Sequence, residues 1–393
     1  MRQAGRLASA AALSLSISLS LSAAQAAEPP LAAVTIVGPA EVVFNPKRDA
    51  CDGDDMPDTS ARAFRDAEGA VAVFAMHTKN RALRGPDFAS LKIDCRSPLP
   101  SNGSAEPGAY DDASWITATW TTDGRKVSAL VHHEYQANTH SGRCASKVYI
   151  ECWYNTIVAV SSVDGGRTFQ RPAPPVVVAS APFRQEVGQG RHRGFFNPSN
   201  IVSDGRFHYV LVSTTGWAGQ AVGACLFRTA DPADPSSWRA HDGSRFSIGY
   251  ADPYRAEPDA RPCRTVAPFP APVGAVVRHR PSGAWVAVFQ ASGSADPFPV
   301  PGFYTTSSRD LLHWDRPRLL LGGLTLYDLG AGCPAAPELI AYPSLIDRTA
   351  EGRNFDDTGR SAELYYSVLR VEGCQVKADR RLERRRVTID VLP

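Results

Sequence analysis

Trp115-Ile-Thr-Ala-Thr-Trp-Thr-Thr-Asp-Gly124, followed by Lys126-Val-Ser-Ala-Leu-Val-His-His-Glu134, is the stretch that decides the fold. A short apolar run, an Asp-Gly turn and a second apolar run ending in polar residues read as a β-hairpin. The same grammar recurs at Ser60–Gly69 with Ala70–His77, at Asn197–Gly205 with Phe207–Thr214, and at Gly274–Gly283 with Ala284–Gln290. It recurs once more at Tyr342–Asp347, which returns after a longer turn as Ala362–Leu369. Hairpins spaced roughly 55 to 80 residues apart predict an all-β, five-bladed β-propeller with four-stranded antiparallel blades. Two separate β-sandwiches are the competing architecture. The strand Ala33–Val37 is expected to close the last blade beside Val387–Val391, which favours a monomer.

Composition narrows the functional classes. The 393 residues include 31 Gly and 31 Pro, too many breakers for a long helical bundle. With 7 Trp, 12 Tyr and 16 Phe and only 21% charged residues, the chain is not a disordered one. Residues 1–26 read as a secretory signal peptide: Arg2 and Arg6, an uncharged Ala/Leu/Ser stretch, then the small-x-small site Ala24-Gln25-Ala26. The expectation is a single domain over 27–393, periplasmic or secreted, with no membrane span after cleavage. Without Arg2 and Arg6 the mature chain carries no formal net charge, so nothing supplies the basic field that nucleic acid needs. The one basic run, Arg380–Arg386, reads as an exposed strand edge protected by charge.

All eight cysteines follow the signal, which in an exported chain reads as four disulfides. The blade layout predicts pairing in sequence order: Cys51 with Cys95, Cys144 with Cys152, Cys225 with Cys263, and Cys333 with Cys374. No CxxC occurs, and neither a metal nor a cofactor is expected.

Three segments place an Asp-containing turn after a strand: Ser162–Phe169, Thr229–Trp238 and Ser308–Trp314. Asp164, Asp231 and Asp310 are expected to accept backbone N–H groups there, a structural duty. Asp66, Asp123 and Asp204 are assigned to hairpin turns in the same way. Ser162-Val-Asp-Gly-Gly-Arg-Thr-Phe169 resembles the Asp-box of sialidases and related propellers at every position. The other two turns, with Asn197-Pro-Ser-Asn-Ile and Tyr342-Pro-Ser-Leu-Ile, resemble five-bladed arabinanase, xylosidase and invertase glycosidases, whose entry strand reads Asp-Pro-Ser-hydrophobic. That resemblance implies a glycoside hydrolase acting at the central mouth of the ring. A six-bladed, sialidase-like propeller is the alternative fold it implies.

In a propeller, loops entering the first strand and leaving the second line one mouth. Aromatic, amide and arginine side chains there suit a carbohydrate, whose rings are flat and apolar and whose hydroxyls need polar partners. Glycoside hydrolysis needs two carboxyl groups, one protonated and one ionised. Glu134 is the candidate acid, because burial at a strand end would raise its pKa. Asp58 lies nearest the position where five-bladed glycosidases carry their base, although Asp58-Thr-Ser-Ala stands where those enzymes have Asp-Pro-Ser. Candidate substrate-binding residues are Arg62, His77, His133, Tyr135, Trp153, Asn197, Asn200, Arg264, Tyr342 and Tyr366. Glu257 and Asp259 lie on the same entry loop as Arg264. Since His132 and His133 point to opposite sides of their strand, at most one faces the mouth. A sialidase reading would use Arg62, Arg264 and Arg370 with Tyr366 and Glu134. A third reading is a propeller that binds a glycan or a protein without chemistry.

Overall fold

The computed structural model describes residues 31–146, 148–182, 189–255, 261–293, 297–331 and 336–392. The signal peptide, Glu257, Asp259 and Cys333 lie outside the described residues. No described helix is long and apolar enough to cross a membrane.

The chain is all-β. Strand β1 (Ala32–Phe44) is followed by a first unit of β2 (Pro57–Arg65), β3 (Val71–Met76), β4 (Ala82–Gly85) and β5 (Lys92–Ile93). The second unit is β6 (Ala113–Trp120), β7 (Val127–Gln136), β8 (Trp153–Ser162) and β9 (Val177–Ala179). Then come β10 (Arg193–Phe196) and β11 (Val202–Ser203), which both pair with β12 (His208–Thr214). The third unit continues with β13 (Gly223–Thr229), β14 (Arg239–His241), β15 (Phe246–Ile248) and β16 (Thr265–Val266). A fourth comprises β17 (Val273–His279), β18 (Trp285–Ala291), β19 (Gly302–Ser308) and β20 (Arg318–Gly322). The last strands are β21 (Glu338–Ile346), β22 (Asp357–Thr358), β23 (Ser361–Glu372) and β24 (Gln375–Val391).

Four hydrogen-bonded sheets result, in the orders β2-β3-β4-β5, β20-β19-β18-β17-β22, β1-β24-β23-β21 and an eleven-stranded set containing the second and third units. Among the described residues, strand pairing joins those two units at two parallel pairs, Arg193↔Tyr154 and Gly194↔Asn155. The strands Val71–Met76 and Trp285–Ala291 are buried at every residue. Such continuous apolar runs mark strands packed on both faces, here between neighbouring sheets. The outer β20 is largely exposed.

The first strands of the units converge on one side chain. The Arg62 guanidinium donates to the carbonyls of Thr117 (2.5 Å), Gly274 (2.7 Å), Pro198 (2.9 Å) and its neighbour Ala61 (3.3 Å). Ser344 on β21 donates to Ala61 O at 2.8 Å, bringing the remaining inner strand to the same point. Thus β2, β6, the 197–199 segment, β17 and β21 meet around a buried cation held by carbonyl oxygens.

The expected pairing of the first strand with the last is seen between β1 and β24, with Ala33 opposite Asp390 and Ile36 opposite Val387. The basic run is a correction: Arg380–Arg386 lies inside β24, which is hydrogen-bonded on both sides by β1 and β23, not at an edge. The segment before Phe44 covers its outer side, and its arginines find acids: Arg381 with Glu338 and Glu383, Arg384 with Glu41 and Glu363, Arg380 with Asp58.

Disulfides join Cys51–Cys95, Cys144–Cys152 and Cys225–Cys263, as sequence order predicts. Cys374 is also disulfide-bonded. In the turn after β8, Asp164 accepts from the backbone N–H of Arg167 and Thr168 and from the Thr168 hydroxyl, so its carboxylate is committed to the loop.

Candidate functional site

Strand alternation sends His132 and Glu134 to one side of β7 and His133 and Tyr135 to the other. The first pair lines a cavity of about 460 Å³, together with Asp58, Trp115, Trp153 and Tyr342. His192, Phe196 and Asn197 complete its polar end, while Ile150, Leu326, Tyr327 and Leu329 come from two 3₁₀ turns, Tyr149–Cys152 and Leu326–Ala331. Asp58 sits at the start of its strand and Glu134 near the end of the antiparallel second strand, so both reach the same end of the molecule.

The two carboxyl groups live in opposite environments. Glu134 is 6% exposed. Burial pushes its pKa well above the usual carboxylate range, a rise opposed by a 3.1 Å hydrogen bond from the Gln136 amide and increased by the charges of Asp58 and Asp112. Asp58 is buried as well, which by itself would raise its pKa. The Arg380 guanidinium and the His77 ring more than offset that, and the group lies below the usual range. Asp58 Oδ2 is 2.7 Å from His77 Nδ1, and Oδ1 accepts from Tyr342 OH at 3.2 Å and from Arg380. A carboxylate offers about four lone-pair sites, so one remains for a ligand or water.

His132 lies between the acids and the amides. Burial lowers its pKa to about 4, so the ring is neutral near pH 7. Its Nε2 lies 2.9 Å from Asn155 Oδ1, and Asn155 is oriented by its own donation to Arg193 O at 3.0 Å. With Nε2 protonated, the 3.0 Å contact between Nδ1 and Asn197 calls for the amide nitrogen of Asn197. Trp115 stacks on His132 with ring centroids 5.5 Å apart.

Backbone geometry marks the site too. Asn197 and Tyr342, equivalent residues of two units and each preceding a proline, have φ of 44° and 57°. Left-handed backbone is costly for non-glycine residues, and the position before proline disfavours helical conformations further. Both side chains face the cavity.

Of the residues singled out from sequence, Glu134, Asp58, Trp153, Asn197 and Tyr342 line this cavity, and His77 supports Asp58 from behind while meeting Trp115 edge-on. The structure places the others elsewhere. Arg62 is on the central carbonyls. His133 accepts the Asp112 N–H at 3.2 Å, and the Tyr135 hydroxyl donates to Ala105 O at 2.8 Å. Asn200 exchanges two 2.8 Å hydrogen bonds with the Val276 backbone. Arg264 is exposed, and Tyr366 donates to Glu383 at 3.1 Å. Sequence reasoning missed Arg380, Trp115, His192, Phe196 and both 3₁₀ turns. Trp115 was legible, being an aromatic at the start of a first strand like Asn197 and Tyr342; Arg380 was hidden in a run read only for its charge. Among the described residues, no group of three or more His, Cys, Asp or Glu side chains is arranged to hold a metal ion.

No protein-family model matches the chain, and no curated protein matches it in sequence. Solved structures do. A xylan β-1,4-xylosidase from Bacillus halodurans is similar over 88% of this chain, with TM-score 0.45 and 9% identity. The chain spans 55% of that protein's length. An endo-1,5-α-L-arabinanase from Thermotoga petrophila is similar over 84% of this chain and 72% of its own, with TM-score 0.48 and 9% identity. An N-acetylgalactosamine deacetylase from F. plautii is similar over 91% of this chain and 96% of its own, with TM-score 0.47 and 11% identity.

Proposed function

We propose that the chain is a glycoside hydrolase built on a five-bladed propeller, a single domain from about residue 27, exported behind a signal peptide and acting as a monomer on a carbohydrate at the mouth of the ring. The observation that carries the reading is the pair of carboxyl groups on one cavity whose pKa values are driven apart, Glu134 up and Asp58 down. Glu134, protonated, would donate to the departing glycosidic oxygen. Asp58, ionised, would assist attack at the anomeric carbon, through water or directly. Trp115, Trp153 and Tyr342 supply flat faces for a sugar ring.

The five-blade count is supported by five inner strands meeting at Arg62 and by the β1–β24 pairing. Disulfides fit an oxidising compartment. The sialidase reading has less support: Arg62 is committed to carbonyls, Arg264 is exposed, and Arg370 pairs with Glu372 and Asp379. One observation favours the non-catalytic reading, namely that Asp58 already holds three partners.

The test is a screen of purified protein on aryl glycosides and polysaccharides, with Glu134→Gln alongside. Turnover that the substitution abolishes while ligand affinity persists supports the proposal. Hydrolysis that survives Glu134→Gln, or no hydrolysis of any substrate, refutes it.

A further inference from the structure

The cavity is divided in character. Its polar lining is Asp58, Glu134, His132 and Asn197, and its apolar lining includes Ile150, Leu326, Leu329 and the Tyr327 ring. Both apolar contributions come from 3₁₀ turns outside the β-framework, and one of them is anchored by the Cys144–Cys152 bridge. The apolar surface continues outward: Tyr149, Ile150 and Tyr327 are 43%, 40% and 41% exposed. Tyr149 stacks on Trp153 at 5.2 Å, and Trp153 leans on His192 at 4.7 Å, forming an aromatic shelf from rim to interior. Exposed apolar side chains contiguous with a pocket mark surface that a ligand covers.

One further fact restricts the ligand. Among the described residues no lysine or arginine lines the cavity, and the guanidinium next to it, that of Arg380, is paired with Asp58. An anionic group on the ligand would therefore find no uncommitted cation there.

Resting on the glycosidase reading, we propose that the cavity recognises an uncharged glycoside with an aryl aglycone, the sugar between Asp58 and Glu134 and the aromatic group against Ile150, Leu326 and the Tyr149–Trp153 shelf. The two 3₁₀ turns, rather than the strands, set what is accepted on the leaving-group side.

The test uses Glu134→Gln protein, titrated with 4-nitrophenyl and methyl glycosides of neutral pentoses and hexoses, with 4-nitrophenyl glucuronide and 4-nitrophenol as further probes. The expected result is that the 4-nitrophenyl glycoside of the preferred sugar binds at least tenfold more tightly than its methyl counterpart. Tyr327 and Ile150 are exposed enough for polar replacements to fold, and Ile150→Ser with Tyr327→Ser should drive that ratio toward one. Equal affinity for aryl and methyl glycosides, a ratio untouched by the double substitution, preference for the glucuronide, or no binding by any probe overturns the proposal. The two readings fail separately. Unmodified protein that hydrolyses methyl and aryl glycosides with equal KM keeps the glycosidase and sinks the aryl site. Aryl-selective binding with no turnover does the reverse.

Discussion

Arg380 is the side chain on which the ionisation of Asp58 turns, and Arg380→Gln tests that directly. An ion pair about 4 Å apart in an effective dielectric near 20 attracts by about 4 kcal/mol. The Arg380 and Asp58 side chains keep 16% and 13% exposure, and His77 and Tyr342 remain as partners, so a loss of about 2 kcal/mol is the screened expectation. With unfolding entropy near 2 cal/mol/K per residue, that lowers Tm by about 3 °C for a chain of this size. The pH dependence carries the diagnosis. Asp58 has a folded pKa below its ordinary value, so its contribution is present above the unfolded pKa and is lost as pH falls through the folded one. Without Arg380 the main opposing charge is gone, and burial, the largest influence on Asp58, pushes its folded pKa upward. The deficit of the variant is then full at pH 7 and closes only as pH falls below the ordinary aspartate value of about 4 and through the parent's lower folded pKa. Scanning fluorimetry at pH 7 and at about pH 2 on the parent, Arg380→Gln, Asp58→Asn and the double variant reads it, and the double variant should recover about half the loss. A deficit equal at both pH values, or a double variant no better than Arg380→Gln, refutes the coupling.

Other expectations follow from the same geometry. The profile of kcat/KM against pH should be bell-shaped, its alkaline limb set by Glu134 above the usual carboxylate range and its acid limb by Asp58 below it; an alkaline limb at the ordinary glutamate pKa contradicts the assignment. Arg62→Met strands the carbonyls of Thr117, Pro198 and Gly274, and should cost roughly 3–5 kcal/mol in chemical denaturation, since each buried acceptor left unmet costs about 1–3 kcal/mol and the guanidinium's own desolvation is relieved. Gly194 has φ of 100°, and a Cβ there would stand 2.1 Å from Asn155 O. Gly194→Ala should cost about 2–4 kcal/mol, measurable by urea unfolding, and depress activity by displacing the amide that holds His132.

The all-β class, the hairpins and three of the disulfide pairings were legible because each is local: turn residues at set offsets, apolar runs between them, and cysteines 8 to 44 positions apart. Glu134 and Asp58 were legible for a related reason, since strand ends in a repeated unit have predictable faces. The same parity argument separates His132 from His133, and it puts Tyr135 with His133 on the side away from Glu134 and the cavity. Arg62 was legible as a residue worth attention and not as a central pin. Its four acceptors come from segments up to 212 positions away, and no local pattern announces them.

By itself, then, the sequence determined repetition: the same strand–turn–strand unit written repeatedly, with a charged or aromatic residue at each strand end. What only the tertiary structure decided is which of those residues share one space. That depends on the pairing of β24 between β1 and β23, which places a basic strand between two others and brings Arg380 across 322 positions to Asp58, turning an ordinary buried carboxyl into an ionised one. It depends equally on two short 3₁₀ turns with no repeat signal, whose apolar side chains gain meaning only where they overhang the acids. Electrostatics and burial act through distance in space, and the chain's own order carries no record of either.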